Sequence, residues 1–170
     1  YGGKPPTELP PMTVAEKKAR FNSLLVPAVN SVFAELTQRH QAVSKMIKTN
    51  TNADELAELR EEYRVDNNQD LLTAIKPHPK SIALAQAAME SSWATSKFAR
   101  KANNLFGVWS FDKDEPRIAA GEQRGEKTIW IKKYSSFKQS VAHYYKTIGR
   151  HQAYKDLRLT KMKTDDPYLL

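Results

Sequence analysis

The sequence predicts an α+β fold, mainly α-helical with a small β-hairpin lobe. Three observations point to it. Apolar residues recur at steps of three or four over long stretches, a short β-prone run lies between residues 111 and 134, and Pro, Asn and Gly punctuate the chain between these segments. At 170 residues and 40% hydrophobic, the chain is long enough for one domain with a real core, since domains of this size bury roughly 70% of the surface their unfolded chain exposes. That excludes intrinsic disorder for most of it.

The first twelve residues are rich in Pro and Gly and form an expected extended linker, leaving residues 13–170 as a single domain. Thr13 is an N-cap candidate, with Glu16 three positions on completing a capping-box pattern. Phe21, Leu25, Ala28, Val32 and Leu36 then form one helical stripe. Pro27 interrupts it, and the expectation is a kink or two abutting helices there. A charged helix follows over residues 53–63, and Asp66-Asn67-Asn68 ends it. Residues 71–75 suggest a short helix stopped by Lys76-Pro77-His78-Pro79, since proline disfavours helical geometry in the residue before it. These helices form an N-terminal group, residues 13–75, ahead of a core at 79–160.

Pro79 suits a first helical turn, and the helix it opens should run to about Arg100, with a break suggested near Ser92. Arg117-Ile118-Ala119 and Ile129-Trp130-Ile131 are the expected partner strands, with turn residues from Gly121 to Gly125. Ser135 or Ser136 should cap the next helix, whose apolar face is Phe137, Val141, Tyr144, Tyr145 and Ile148, closed by Gly149. A short helix near residues 152–157 follows, and another begins after Asp166-Pro167, as though the chain were cut from something longer.

Charge and composition narrow the function classes. Lys and Arg number 27 against 19 Asp and Glu, a net charge of +8, which asks for an anionic partner: nucleic acid, an anionic membrane surface or an acidic polymer. Basic residues are scattered and interleaved with acids over residues 53–64, which disfavours nucleic acid. No stretch approaches the ~18 apolar residues of a membrane span, and the first residues contain no apolar leader, so the expectation is a soluble protein whose export signal is already gone. With no cysteine, disulfides, thiolate zinc sites and a cysteine nucleophile are excluded. The four histidines, His40, His78, His143 and His151, show no metal-ligand spacing, and no cofactor is expected.

Chemistry concentrates in residues 81–96, where Glu90 is the only ionisable side chain. A helix this apolar all round should be largely buried, which would disfavour the charged carboxylate and keep Glu90 protonated, as a general acid requires. On a helical wheel Gln86, Glu90, Trp93 and Lys97 share one face. A lone glutamate in an apolar helix is also often the partner of a structural arginine. Asn103 and Asn104, followed by Phe106 and Trp109, then set amides beside aromatics. Aromatic faces stack on sugar rings and amides read hydroxyl and N-acetyl groups, so the composition suits carbohydrate, although Phe106 and Trp109 taken singly fit a core equally well.

The run from Ala85 through Glu90-Ser91-Ser92-Trp93 to Ser96, then Phe98-Ala99-Arg100, then Asn103-Asn104-Leu105-Phe106-Gly107, resembles the glucosaminidase domain of glycoside hydrolase family 73. Residues 21–43 and 137–158 resemble its bacterial Bax-like branch. The resemblance spans roughly residues 15–160 and implies a lysozyme-like body that cuts the glycan strands of bacterial peptidoglycan, acting as a monomer in the periplasm or cell envelope. It makes Glu90 the catalytic acid and puts a second carboxylate on the hairpin, where Glu122 is preferred to Glu126. Tyr144 matches a tyrosine the family places near the acid, and Gln86, Trp93, Asn104, Phe106, Trp109 and Tyr134 complete the expected substrate-binding set. Ser92 and Ala94 depart from the pattern, because family members often carry glycine there.

The implied reaction is hydrolysis of the β-1,4 bond after N-acetylglucosamine. Glu90 protonates the leaving oxygen, and either water activated by Glu122 or the substrate's own N-acetyl oxygen meets the oxocarbenium-like transition state. A lytic transglycosylase using Glu90 alone, and a non-catalytic cell-wall-binding module, are the alternatives.

Overall fold

The computed structural model describes residues 9–124 and 127–150, with the side chains of residues 122–127 outside the description. Six helices and a two-stranded antiparallel sheet follow in order: α1 Val14–Thr49, α2 Ala53–Tyr63, α3 Asn68–Ile75, α4 Lys80–Ser91, α5 Lys97–Ala102, β1 Arg117–Arg124, β2 Lys127–Lys132 and α6 Phe137–Arg150. This is the mainly helical α+β architecture with a small hairpin lobe that the sequence predicts. Residues 9–13 carry no regular structure. Residues 1–8, the helix expected near 152–157 and the one after Pro167 lie outside the described residues.

Helix α1 begins where the capping pattern places it, with the Thr13 hydroxyl accepting from the Glu16 amide at 3.1 Å. It does not divide at Pro27. One helix of 36 residues runs through that position, correcting the expectation of two abutting helices. Pro27 is exposed, so water can serve the carbonyl that the missing proline N–H leaves unpaired, while Leu25, Val29 and Val32 on the inner face hold the helix to the core.

Two apolar clusters organise the rest. The first packs Phe21, Leu25, Val29 and Val32 of α1 against Ala83, Ala87 and Ala88 of α4, Leu105, and Val141 and Tyr145 of α6. The second gathers Val43, Leu56, Tyr63, Leu71, Ala74 and Ile75 around the far half of α1. Three small residues on α4 let that helix lie close to its neighbours, so the first cluster fixes the direction in which the end of α4 points.

Helix α6 starts under Ser136, whose hydroxyl accepts from the Gln139 amide at 3.1 Å. Gly149 is buried next to Arg150, where the described part of the helix ends, and a Cβ there would stand 2.5 Å from the Ala74 carbonyl oxygen. Close approach of α6 to the end of α3 therefore requires glycine here. Beside this contact Lys146 pairs with Glu62 at 2.5 Å, and the pairing holds the Glu62 carboxyl below its ordinary range against the opposing effect of burial.

Candidate functional site

Helix α4 ends abruptly at Ser91, one residue after Glu90. Ser92, Trp93 and Ala94 all have left-handed backbone, with φ of 51°, 59° and 63°. The Ser91 hydroxyl stabilises this reversal by donating to the Ala87 carbonyl and accepting from the Ala94 amide at 2.8 Å. Two of the three left-handed residues are Ser92 and Ala94, the positions at which the sequence departs from a glycine pattern. A side chain in this conformation costs roughly 1–2 kcal/mol, partly offset by the smaller entropy loss of a non-glycine residue, roughly 0.5–1 kcal/mol. Because Ser92 is exposed, Ser92→Gly is expected to raise stability by about 0.5–1 kcal/mol. A lower urea midpoint for the variant would contradict this account of the turn.

Glu90 is exposed on the last turn of α4, as is its neighbour Met89 at 78%. This corrects the expectation of a buried carboxyl. The helix buries Ala83, Ala87 and Ala88 on one face only, and its freedom from charge reflects alanine's indifference to solvent rather than burial all round. One Glu90 oxygen accepts from the Gln86 amide at 3.2 Å, joining two of the expected site residues. The other has no partner among the described residues.

Trp93 does not share that face. The left-handed turn swings it towards α1, where its ring meets Phe21 edge-on at 5.3 Å and lies under the Lys18 ammonium at 5.2 Å. The helical wheel fails here because its period stops at Ser91.

The hairpin packs beside the start of α5, which follows the reversed turn. Strand β1 is irregular: Ala119 pairs with Trp130 and Gln123 with Thr128, so β1 inserts extra residues between these pairs. Gly121, with φ +57°, sits in this bulge and not in the end turn as expected. A Cβ on Gly121 would lie 3.1 Å from Lys97 Nζ, which brings the α5 start to the bulge. Glu122 follows on the β1 backbone, with its side chain outside the description, and Glu126 lies outside the described residues. A groove of about 570 Å³ runs between Lys97, Phe98, Trp109, Gly121, Ile129 and Ile131. At its edge Trp109 is 52% exposed and Phe111 87% exposed, their ring centres 6.3 Å apart. Phe111 is absent from the sequence-derived set, and its spacing of two from Trp109 is the signal that could have singled it out.

Phe106 and Tyr144 are brought together as a parallel stack, centres 4.1 Å apart and planes 5° apart. Both are half-buried, and Tyr144 also meets His78 and Tyr145 edge-on.

Two expected substrate readers are turned inward. Asn104 is 2% exposed: its amide donates to the Val108 and Lys132 carbonyls at 2.9 and 2.8 Å, and its oxygen accepts from the Val108 amide at 3.0 Å. It braces the 104–108 loop to β2. Tyr134 is 3% exposed, and its hydroxyl meets His143 Nδ1 at 2.5 Å. Burial pushes the Tyr134 hydroxyl above its ordinary value, and burial with the nearby Lys132 charge holds His143 below its own. Among the described residues no group of three His, Asp or Glu lies close enough to hold a metal ion, and no helix is long and apolar enough to cross a membrane.

Residues 65–168 match the glucosaminidase family model, described as mannosyl-glycoprotein endo-beta-N-acetylglucosaminidase. The chain is 31% identical over 157 residues to the protein bax of Escherichia coli, covering 85% of this chain and 55% of bax. It is 33% identical over 100 residues to the exo-glucosaminidase LytG of Bacillus subtilis, covering 48% of this chain and 34% of LytG. The chain thus spans about half the length of the first relative and a third of the second. The crystal structure of the catalytic domain of the autolysin Auto from Listeria monocytogenes overlays 93% of this chain and 80% of its own at 17% identity, with a TM-score of 0.39.

Proposed function

Because this chain belongs to the glucosaminidase family, we propose that it is an endo-acting hydrolase of the β-1,4 bond after N-acetylglucosamine in peptidoglycan, with Glu90 as general acid. The observation that carries this reading is the position of Glu90: on the last exposed turn of a helix, anchored through one oxygen by Gln86, inside the matched region and followed at once by a reversed backbone. An exposed carboxyl must reach the leaving oxygen of a bound glycan, and α4 presents it without obstruction. A sugar seated over Glu90 excludes bulk water from the site where the proton is transferred.

Glu122, on the bulged strand, is the second carboxylate in this reading. Water activated there, or the substrate's N-acetyl oxygen, meets the developing oxocarbenium ion, and a carboxyl separation of roughly 6.5–9.5 Å leaves room for the water. Trp109 with Phe111 offers aromatic faces beside the groove, and the Phe106–Tyr144 stack offers a second platform. Residues 13–170 act as one unit with its catalytic core at 79–160, as a monomer. The site of action is the cell envelope, where peptidoglycan lies, and the charge of +8 holds the protein near an anionic wall, less so as salt rises.

Mass analysis of a peptidoglycan digest tests the reaction. New reducing ends of N-acetylglucosamine are expected, and anhydro-muramic ends would assign a lytic transglycosylase instead.

A further inference from the structure

A cavity of about 490 Å³ opens where the end of β2 meets the first turns of α6, within the ~300–1,000 Å³ of small-ligand sites. It lies apart from the groove beside Gly121, and its hydrogen-bonding groups are unevenly matched. Glu115 supplies its carboxylate, with both oxygens engaged: Ser110 Oγ donates to Oε1 at 2.7 Å and Lys132 Nζ stands 3.5 Å from Oε2. The Gln139 amide oxygen accepts from the Ser135 amide at 2.6 Å and from its hydroxyl at 3.0 Å, which leaves the Gln139 NH₂ as a donor.

Tyr134 Oη and His143 Nδ1 are 2.5 Å apart, and with the hydroxyl donating in this pair the neutral imidazole carries its proton on Nε2. The exposed Lys133 ammonium also has no partner among the described residues. Among the described residues three donors thus have no acceptor: His143 Nε2–H, the Gln139 side-chain amide and the Lys133 ammonium. A carboxylate has two oxygens and roughly four lone-pair sites to offer such donors. The wall of the cavity is pinned in place, since the Tyr134 amide donates to the Ala102 carbonyl at 2.8 Å and Asn103 Nδ2 to the Tyr134 carbonyl at 3.0 Å.

We propose that this cavity receives a peptide carboxylate, using Lys133, Gln139 and His143 as its donors. For the peptidoglycan reading above, on which the choice of ligand rests, that carboxylate belongs to the short acidic peptides borne by the glycan strands. The site then selects peptide-bearing over bare glycan without touching the bond that is cut.

The test uses the full chain carrying Glu90→Gln, so that binding is read without hydrolysis. It is titrated, by amide chemical-shift changes, with a short peptide ending in a free carboxylate and with the same peptide ending in an amide. The acid form is expected to bind about tenfold or more tighter, the scale of one charge-assisted hydrogen bond, and the preference is expected to vanish in the exposed double variant Lys133→Ala/Gln139→Leu. Shifts should centre on residues 132–143. Equal binding of acid and amide, an unchanged preference in the double variant, or displacement of the peptide by inorganic phosphate more readily than by acetate would each overturn the proposal. In the protein with Glu90 intact, the ratio of kcat/KM for peptide-bearing against peptide-free glycan should fall towards one when Lys133 and Gln139 are replaced. If peptide binding fails while glycan cleavage stands, only the carboxylate site falls. If cleavage is absent while the peptide binds, only the glucosaminidase reading falls.

Discussion

If Glu90 is the general acid proposed above, Glu90→Gln is expected to lower the rate of peptidoglycan cleavage by about 10²–10⁴-fold, the usual contribution of a positioned general acid, and to leave wall binding and stability in place. The substitution removes a proton donor while keeping shape. Glu90 is exposed and its contact among the described residues is Gln86, so thermal unfolding should shift by no more than about 0.5 kcal/mol equivalent. Zymogram clearing, sedimentation with purified walls and a melting curve on the same preparation separate the outcomes. A non-catalytic wall-binding module would show clearing independent of Glu90, and a structural glutamate would show a lower melting temperature.

Asn104→Ala lowers stability by about 2–4 kcal/mol. Three hydrogen bonds converge on one buried amide, each contributing roughly 0.5–1.5 kcal/mol, and their loss strands backbone groups that cost more when left unpaired out of water. For a chain of this size the melting temperature should drop roughly 5–15 °C. Whatever activity is lost should return in proportion to the folded fraction as temperature falls. A variant of wild-type stability with a raised KM would restore the residue to the role its sequence context suggests, that of a sugar-reading amide.

These two residues show what is legible in the sequence. The helix carrying Glu90, a break near Ser92 in what reads as one helix to about Arg100, the Thr13 cap, a cap at Ser135 or Ser136 and the hairpin all follow from local patterns of period, cap and turn chemistry. Exposure is not legible, because alanine is silent about which way it faces: Ala83 and Ala87 are buried while Ala85 in the same run is exposed. A helical wheel misplaces Trp93 because, extended through residues 92–94, it assumes right-handed backbone that these three residues do not adopt. Asn104 and Tyr134 carry side chains suited to sugars, yet their partners are a strand carbonyl 28 residues away and a histidine on the next helix. Spacing along the chain does not encode such contacts. Pro27 shows the converse, since a strong local breaker is overridden by a continuous apolar stripe on the opposite face.

The central claim is that a glycan lies between the end of α4 and the hairpin with its scissile oxygen at Glu90. A crystal structure of Glu90→Gln with a bound peptidoglycan glycan fragment tests it most directly. The glycosidic oxygen is predicted to lie within hydrogen-bond reach of the substituted side chain at position 90, about 2.6–3.2 Å, with the hairpin bulge at Gly121 on the opposite side of the sugar. A fragment bound elsewhere, with position 90 facing open solvent, would contradict it.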